Sequence, residues 1–136
     1  MRFAFLLGTV VALTVASSAQ AADQFDLACD GTRKAKSDGE AVPHKFGFRI
    51  DLQNKVWCWD HCEVTFPIAE VLPDRIIFTR EDDDSYQRRR HIESWVSRRD
   101  GKFESIMIIV RPFPTFVETK GTCTVKPFTG FPKAMF

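Results

Sequence analysis

The hexapeptide Trp57-Cys58-Trp59-Asp60-His61-Cys62 sets two thiols, an imidazole and a carboxylate around a pair of indoles. Three chemistries compete for it. A metal site would use Cys58, His61 and Cys62, with His44 or His91 as the fourth ligand. Structural zinc sites draw on C-x2-C pairs, whereas the spacing here is C-x3-C and the thiols would have to stay reduced. A redox site needs C-x-x-C at the start of a helix, where the dipole lowers a thiol pKa, and neither feature is visible. A disulfide staple is the third possibility. In an extended strand the two Cα atoms would stand about 13 Å apart at ~3.3 Å per residue. A bridge tolerates only about 4.4–6.8 Å, so the chain must bend between the two cysteines. Asp60 is a competent turn former, and His61 then reads as a turn residue.

Four cysteines, Cys29, Cys58, Cys62 and Cys123, allow three connectivities. The staple reading favours Cys58 with Cys62, which leaves Cys29 to join Cys123 and tie the first strand to the last. Trp57 and Trp59, two positions apart, share a face of an extended segment. They either fill the core or, together with His61, offer an aromatic surface to a sugar or a protein.

No other constellation points to catalysis. The chain lacks G-x-S-x-G, H-E-x-x-H and a glycine-rich phosphate loop. Carboxylates such as Glu40 and Asp82 to Asp84 sit in polar stretches where nothing separates their pKa values. The expectation is therefore a protein that is not an enzyme and carries no cofactor and no resident metal.

The elements that position these residues begin with an address. Residues 1–21 combine Arg2, an apolar run from Phe3 to Ala16 and an Ala19-Gln20-Ala21 site, the layout of a secretory signal peptide cleaved after Ala21 or Ala22. The apolar run is shorter than the ~20 residues that span a bilayer as a helix. "DLAC" at 26–29 is not a lipobox, since Asp26 stands where an apolar residue is needed. The expected mature chain, 22–136, loses one Arg from the 19 basic residues and keeps 18 acidic ones, so it is formally neutral. That balance argues against nucleic acid as a partner. Export also brings an oxidising setting in which cysteines pair.

Period 2 dominates the mature sequence. In "KFGFRIDL", 45–52, Phe46, Phe48, Ile50 and Leu52 fall on one face of a strand. "QNK" then turns the chain into "VWCW", and a loop of two residues or of three decides whether Trp57 or Cys58 faces inward. Asp100-Gly101 predicts a two-residue type I′ hairpin that pairs Val96 with Ser105, Ser94 with Met107 and Ile92 with Ile109. The partner strand is apolar on both sides near its end.

Shorter strands are expected at 25–29, 67–71, 75–79, 115–119 and 122–125, with breaks that include Lys120-Gly121. A polar, mobile loop is expected at 31–44, and 81–91, "EDDDSYQRRRH", reads as a solvated loop whose opposite charges offset each other. The chain ends irregularly around "PFTGFP", 127–132, with two Phe available to pack. No helical stripe appears. The expectation is one all-β domain, a small antiparallel barrel or sandwich of about seven to eight short strands, with 13 Phe in the chain to supply its core.

Five landmarks recur together: "FDLACDG" at 25–31, "FRIDLQNKVWC" at 48–58, Cys62, "IAEVLPDRI" at 68–76 and "GTCTVKPFTGFP" at 121–132. In these the chain resembles a group of small exported proteobacterial β proteins of unassigned activity, with an F-D-L-x-C-x-G opening, a W-C-x3-C centre and a G-x-C…F-x-G-F-P ending. The resemblance implies structural cysteines and an exported address. It does not extend to "RRRH". A looser similarity, of architecture alone, is to periplasmic lysozyme inhibitors.

Together these readings predict a non-catalytic periplasmic or secreted binding or inhibitor-like protein that recognises a protein or cell-envelope component. The alternatives are a small barrel carrying an apolar ligand and a Cys/His metal binder.

Overall fold

A computed structural model describes residues 22–59 and 61–133. The expected signal peptide, 1–21, and the turn residue Asp60 lie outside them. The described chain is all β, in nine strands: β1 Gln24–Lys34, β2 Val42–Asp51, β3 Val56–Trp59, β4 Phe66–Pro67, β5 Glu70–Val71, β6 Arg75–Asp83, β7 Arg90–Ser97, β8 Lys102–Ile109 and β9 Thr115–Lys126. All join one antiparallel sheet in the order β4-β3-β2-β1-β9-β8-β7-β6-β5.

The sheet's two outermost strands, β4 and β5, are consecutive in sequence and separated only by Ile68 and Ala69. That connection forces the sheet to curl until its edges nearly meet. The Ile68 amide donates to the Lys55 carbonyl at 2.8 Å on one edge, and the Ala69 amide donates to the Phe78 carbonyl at 3.3 Å on the other. The rings report the same curvature. β2 and β6 lie five strands apart in the sheet order, which in a flat sheet would separate them by roughly 24 Å at ~4.8 Å per strand. Yet Phe48 stacks on Phe78 with centroids 4.9 Å apart.

The inner face follows from the period-2 pattern. Phe48, Ile50, Trp57, Phe78, Val96 and Phe103 are buried together there. In β6 a bulge between Ile77 and Thr79 inserts Phe78 as the extra residue, and Ile76, Ile77 and Phe78 are each 1% exposed. The β2–β3 and β7–β8 hairpins each turn through four residues. Asp51 pairs with Val56 around 52–55, and β7 ends at Ser97 while β8 starts at Lys102 around 98–101. Lys55 (φ 53°) and Gly101 (φ 70°) occupy the last position of their loops in the left-handed region.

Several expectations are corrected. The Asp100-Gly101 hairpin is not a two-residue turn, so Val96 faces Phe103 and Ser94 faces Ser105. Because the shift is two residues, the inward set keeps its face. The 52–55 turn, neither two nor three residues long, pairs Trp57 with Ile50 and turns it inward. Lys120-Gly121 is no break: β9 runs straight through it. "PIAEV" is two short strands on opposite edges rather than one. The 31–44 loop shrinks to 35–41 between long β1 and β2, and nine strands replace the seven or eight expected.

Candidate functional site

The two disulfides join Cys29 to Cys123 and Cys58 to Cys62. Cys29 stands directly opposite Cys123 in the β1–β9 ladder, with Cα atoms 4.0 Å apart. Cys58 and Cys62 approach to 5.0 Å between Cα atoms, because Cys62 takes a left-handed φ of 56° and its amide donates to the Trp59 carbonyl at 3.0 Å. Every cysteine is bridged. These bonds suggest an oxidising, non-cytoplasmic setting, and they leave Cys58 and Cys62 no thiolate to offer a metal. His44 stacks on Phe46 at 5.4 Å, and His91 Nδ1 lies 2.6 Å from an Asp82 carboxylate oxygen. Among the described residues no three His, Cys, Asp or Glu side chains are grouped to hold a metal ion.

The two indoles part company. Trp57 lies in the core, 8% exposed, with its ring centroid 5.1 Å from Phe78 and 5.3 Å from Phe66 and its Nε1–H donating to the Pro67 carbonyl at 3.3 Å. Trp59 is 58% exposed. Register explains the split: β4 pairs only with Val56 and Trp57, so Trp59 extends past the last rung with no strand on that side. A shared aromatic platform of Trp57 and Trp59 therefore does not form.

What forms instead is a surface cleft of about 260 Å³ lined by Trp59, His61, Cys62, Glu63, Val64 and Phe66. Cys62, one half of the local disulfide, and Phe66, the first residue of β4, both border it. Val64 is 60% and Phe66 40% exposed, so with Trp59 they make an apolar patch around which His61 and Glu63 supply a polar rim. Sequence reasoning singled out Trp59 and His61 but missed Val64 and Phe66. Their signal was the alternation in Glu63-Val64-Thr65-Phe66, two apolar residues sharing a face just after the staple.

No family model, curated protein or solved structure matches this chain.

The charge block lies at the far end of the β6–β7 hairpin. Asp82 pairs with His91 and Asp83 with Arg90 in the ladder, Glu81 bonds Arg90, and Arg89 reaches Asp84 at 3.7 Å. The charges offset each other as the sequence predicts, although the two ends of the block, Glu81 to Asp83 and Arg90-His91, are strand rather than loop. The curl's middle is filled by Phe48, Phe78 and Phe103. No helix among the described residues is long and apolar enough to cross a membrane.

Proposed function

We propose that the chain is a non-catalytic binding protein of the bacterial periplasm, expected to lose residues 1–21 on export, that seizes a protein partner through the Trp59–Phe66 surface. One observation carries this reading: Trp59, at the end of β3, Val64, in the connection, and Phe66, at the start of β4, are exposed around one cleft where the Cys58–Cys62 bridge braces the chain. Bracing lowers the ordering cost of binding, and an exposed Trp inside an apolar patch with a polar rim is the usual make-up of an energetic hot spot. A protein suits the patch better than a sugar does. A glycan stacks on an aromatic face but needs many polar partners for its hydroxyls, and here His61 and Glu63 stand at the rim while Val64 and Phe66 provide none.

The test is site-specific photo-crosslinking from position 64 in periplasm, identification of the captured protein, and titration of that protein in purified form. Trp59→Ala is expected to weaken the purified complex by about 2 kcal/mol or more, with the fold checked by thermal melting. Equal affinity of the Trp59→Ala protein, or capture of peptidoglycan fragments in place of a protein, overturns the proposal.

A further inference from the structure

The β7–β8 turn stops short of β9. Lys102 pairs with Thr122, and the Cys123 amide donates to the Gly101 carbonyl at 2.8 Å, so Thr124 to Lys126 run on beyond the hairpin with nothing across from them on that side. A pocket of about 360 Å³ opens into this gap. Its wall includes Leu27, Ile76, Val96 and Cys123, all members of the buried core, while Phe25 and Val125 form its apolar lip. The opening therefore leads from solvent to the end of the hydrophobic interior, and its size lies within the ~300–1,000 Å³ of small-molecule sites.

Its rim is cationic. Arg98 and Arg99 both border the pocket. The Arg98 guanidinium donates to the Leu72 carbonyl at 3.1 Å, and among the described residues neither arginine has a carboxylate partner. The nearby acids are engaged elsewhere: Asp74 with Arg75 at 3.3 Å, and Asp100 with Lys102 at 3.6 Å. An apolar pocket bordered by two arginines that lack a carboxylate partner among the described residues combines the two halves of amphiphile recognition, burial of a chain and a charge-assisted grip on a head group.

The geometry points to a second site, distinct from the Trp59 surface, which takes a single-chain anionic amphiphile: an alkyl chain ending in a carboxylate or phosphate. The chain lies along Leu27, Ile76, Val96 and Val125, and the head group faces Arg98 and Arg99.

Calorimetric titration with dodecanoate, dodecyl phosphate, dodecanol and acetate below micelle-forming concentrations tests this, with methyl NMR of Leu27, Val96 and Val125 as the positional readout. One anionic dodecyl ligand per chain is expected, with shifts at those methyls; the stronger of dodecanoate and dodecyl phosphate identifies the head group. Dodecanol and acetate are each expected to bind at least about tenfold more weakly, since one lacks the charge and the other the chain. Arg99→Gln alone and Arg98→Gln/Arg99→Gln together should weaken the anion progressively and leave dodecanol unchanged. Val125→Trp, at an exposed position on the lip, should block entry without altering the melting temperature. Absence of methyl shifts with either anion, or dodecanol binding as tightly as both anions, overturns the assignment.

Discussion

Gly31 stands directly opposite Gly121 across the β1–β9 ladder, two positions along from the Cys29–Cys123 bridge. The two backbones are too close there for side chains. A Cβ on Gly31 would fall 1.9 Å from the Lys120 carbonyl oxygen, and one on Gly121 would fall 2.8 Å from the Asp30 oxygen. Both obstacles are backbone in the middle of the sheet, so neither can swing aside. Gly31→Ala is expected to destabilise by more than ~2 kcal/mol and Gly121→Ala by less. Urea unfolding of the oxidised proteins measures both, and a Gly31→Ala protein as stable as the parent would refute the close approach.

The two bridges differ in what they constrain. Cys29 and Cys123 are 94 residues apart in sequence, Cys58 and Cys62 only 4. Chain-entropy arguments assign about 4–5 kcal/mol to the long loop and ~2 kcal/mol to the short one. The Cys29→Ala/Cys123→Ala protein should therefore lose more stability in urea than Cys58→Ala/Cys62→Ala. The latter should keep its fold and, on the proposed function, weaken binding at the Trp59 surface, since the chain there is no longer braced.

Lys55 and Gly101 hold the same position in two similar loops, which makes opposite predictions for them. At φ 53° Lys55 carries the strain of a Cβ in the left-handed region, and Lys55→Gly should raise stability by up to ~1 kcal/mol. Gly101→Ala meets both a φ of 70° and a Cys123 carbonyl oxygen 2.3 Å from the new Cβ, and should be destabilising. Denaturation midpoints of the pair, measured side by side, decide the matter.

Asp51 is buried at the start of the β2–β3 turn. Burial pushes its carboxyl up, but the Asn54 amide at 2.9 Å, the Asn54 side chain at 2.7 Å and the Gln24 side chain at 2.8 Å together outweigh burial and hold it below the usual carboxylate range. A carboxyl lowered by folding adds stability that is complete above its unfolded pKa of ~3.9 and fades as pH falls through the lower folded value. Asp51→Asn turns an acceptor into a donor facing donors and should cost about 1–3 kcal/mol at pH 7. That difference should shrink below about pH 4. A gap between parent and variant that stayed constant down to pH 2 would contradict the assignment.

The legible parts of the fold were those where one residue type has one reading. Phe46, Phe48 and Ile50 alternate without ambiguity and lie on the inner side of β2, and four cysteines in an exported-looking chain resolved into the expected pairs. Glycine was misread because it has several uses. Gly121 looked like a break but permits two strands to crowd together, and Gly101 looked like half of a tight turn but closes a longer loop. The junction at Ile68-Ala69 left no mark in the pattern, since a segment that changes partner between two edges still alternates as one strand. For the site, the hexapeptide led to Trp59 and His61, while the exposure of Trp59 and the burial of Trp57 hinged on where the β3–β4 ladder ends, a long-range fact.

The link from Cys29 to Cys123 also governs how the molecule responds to being cut. The turn between β1 and β2, residues 35–41, holds Lys36 on the surface, and a protease that severs the backbone there leaves both products held by sulfur and by the flanking rungs. Such a nicked molecule should migrate as a single band until reductant is added and then fall into two, so its survival of a cut is set by the thiol chemistry of its surroundings rather than by the first hydrolysed peptide bond.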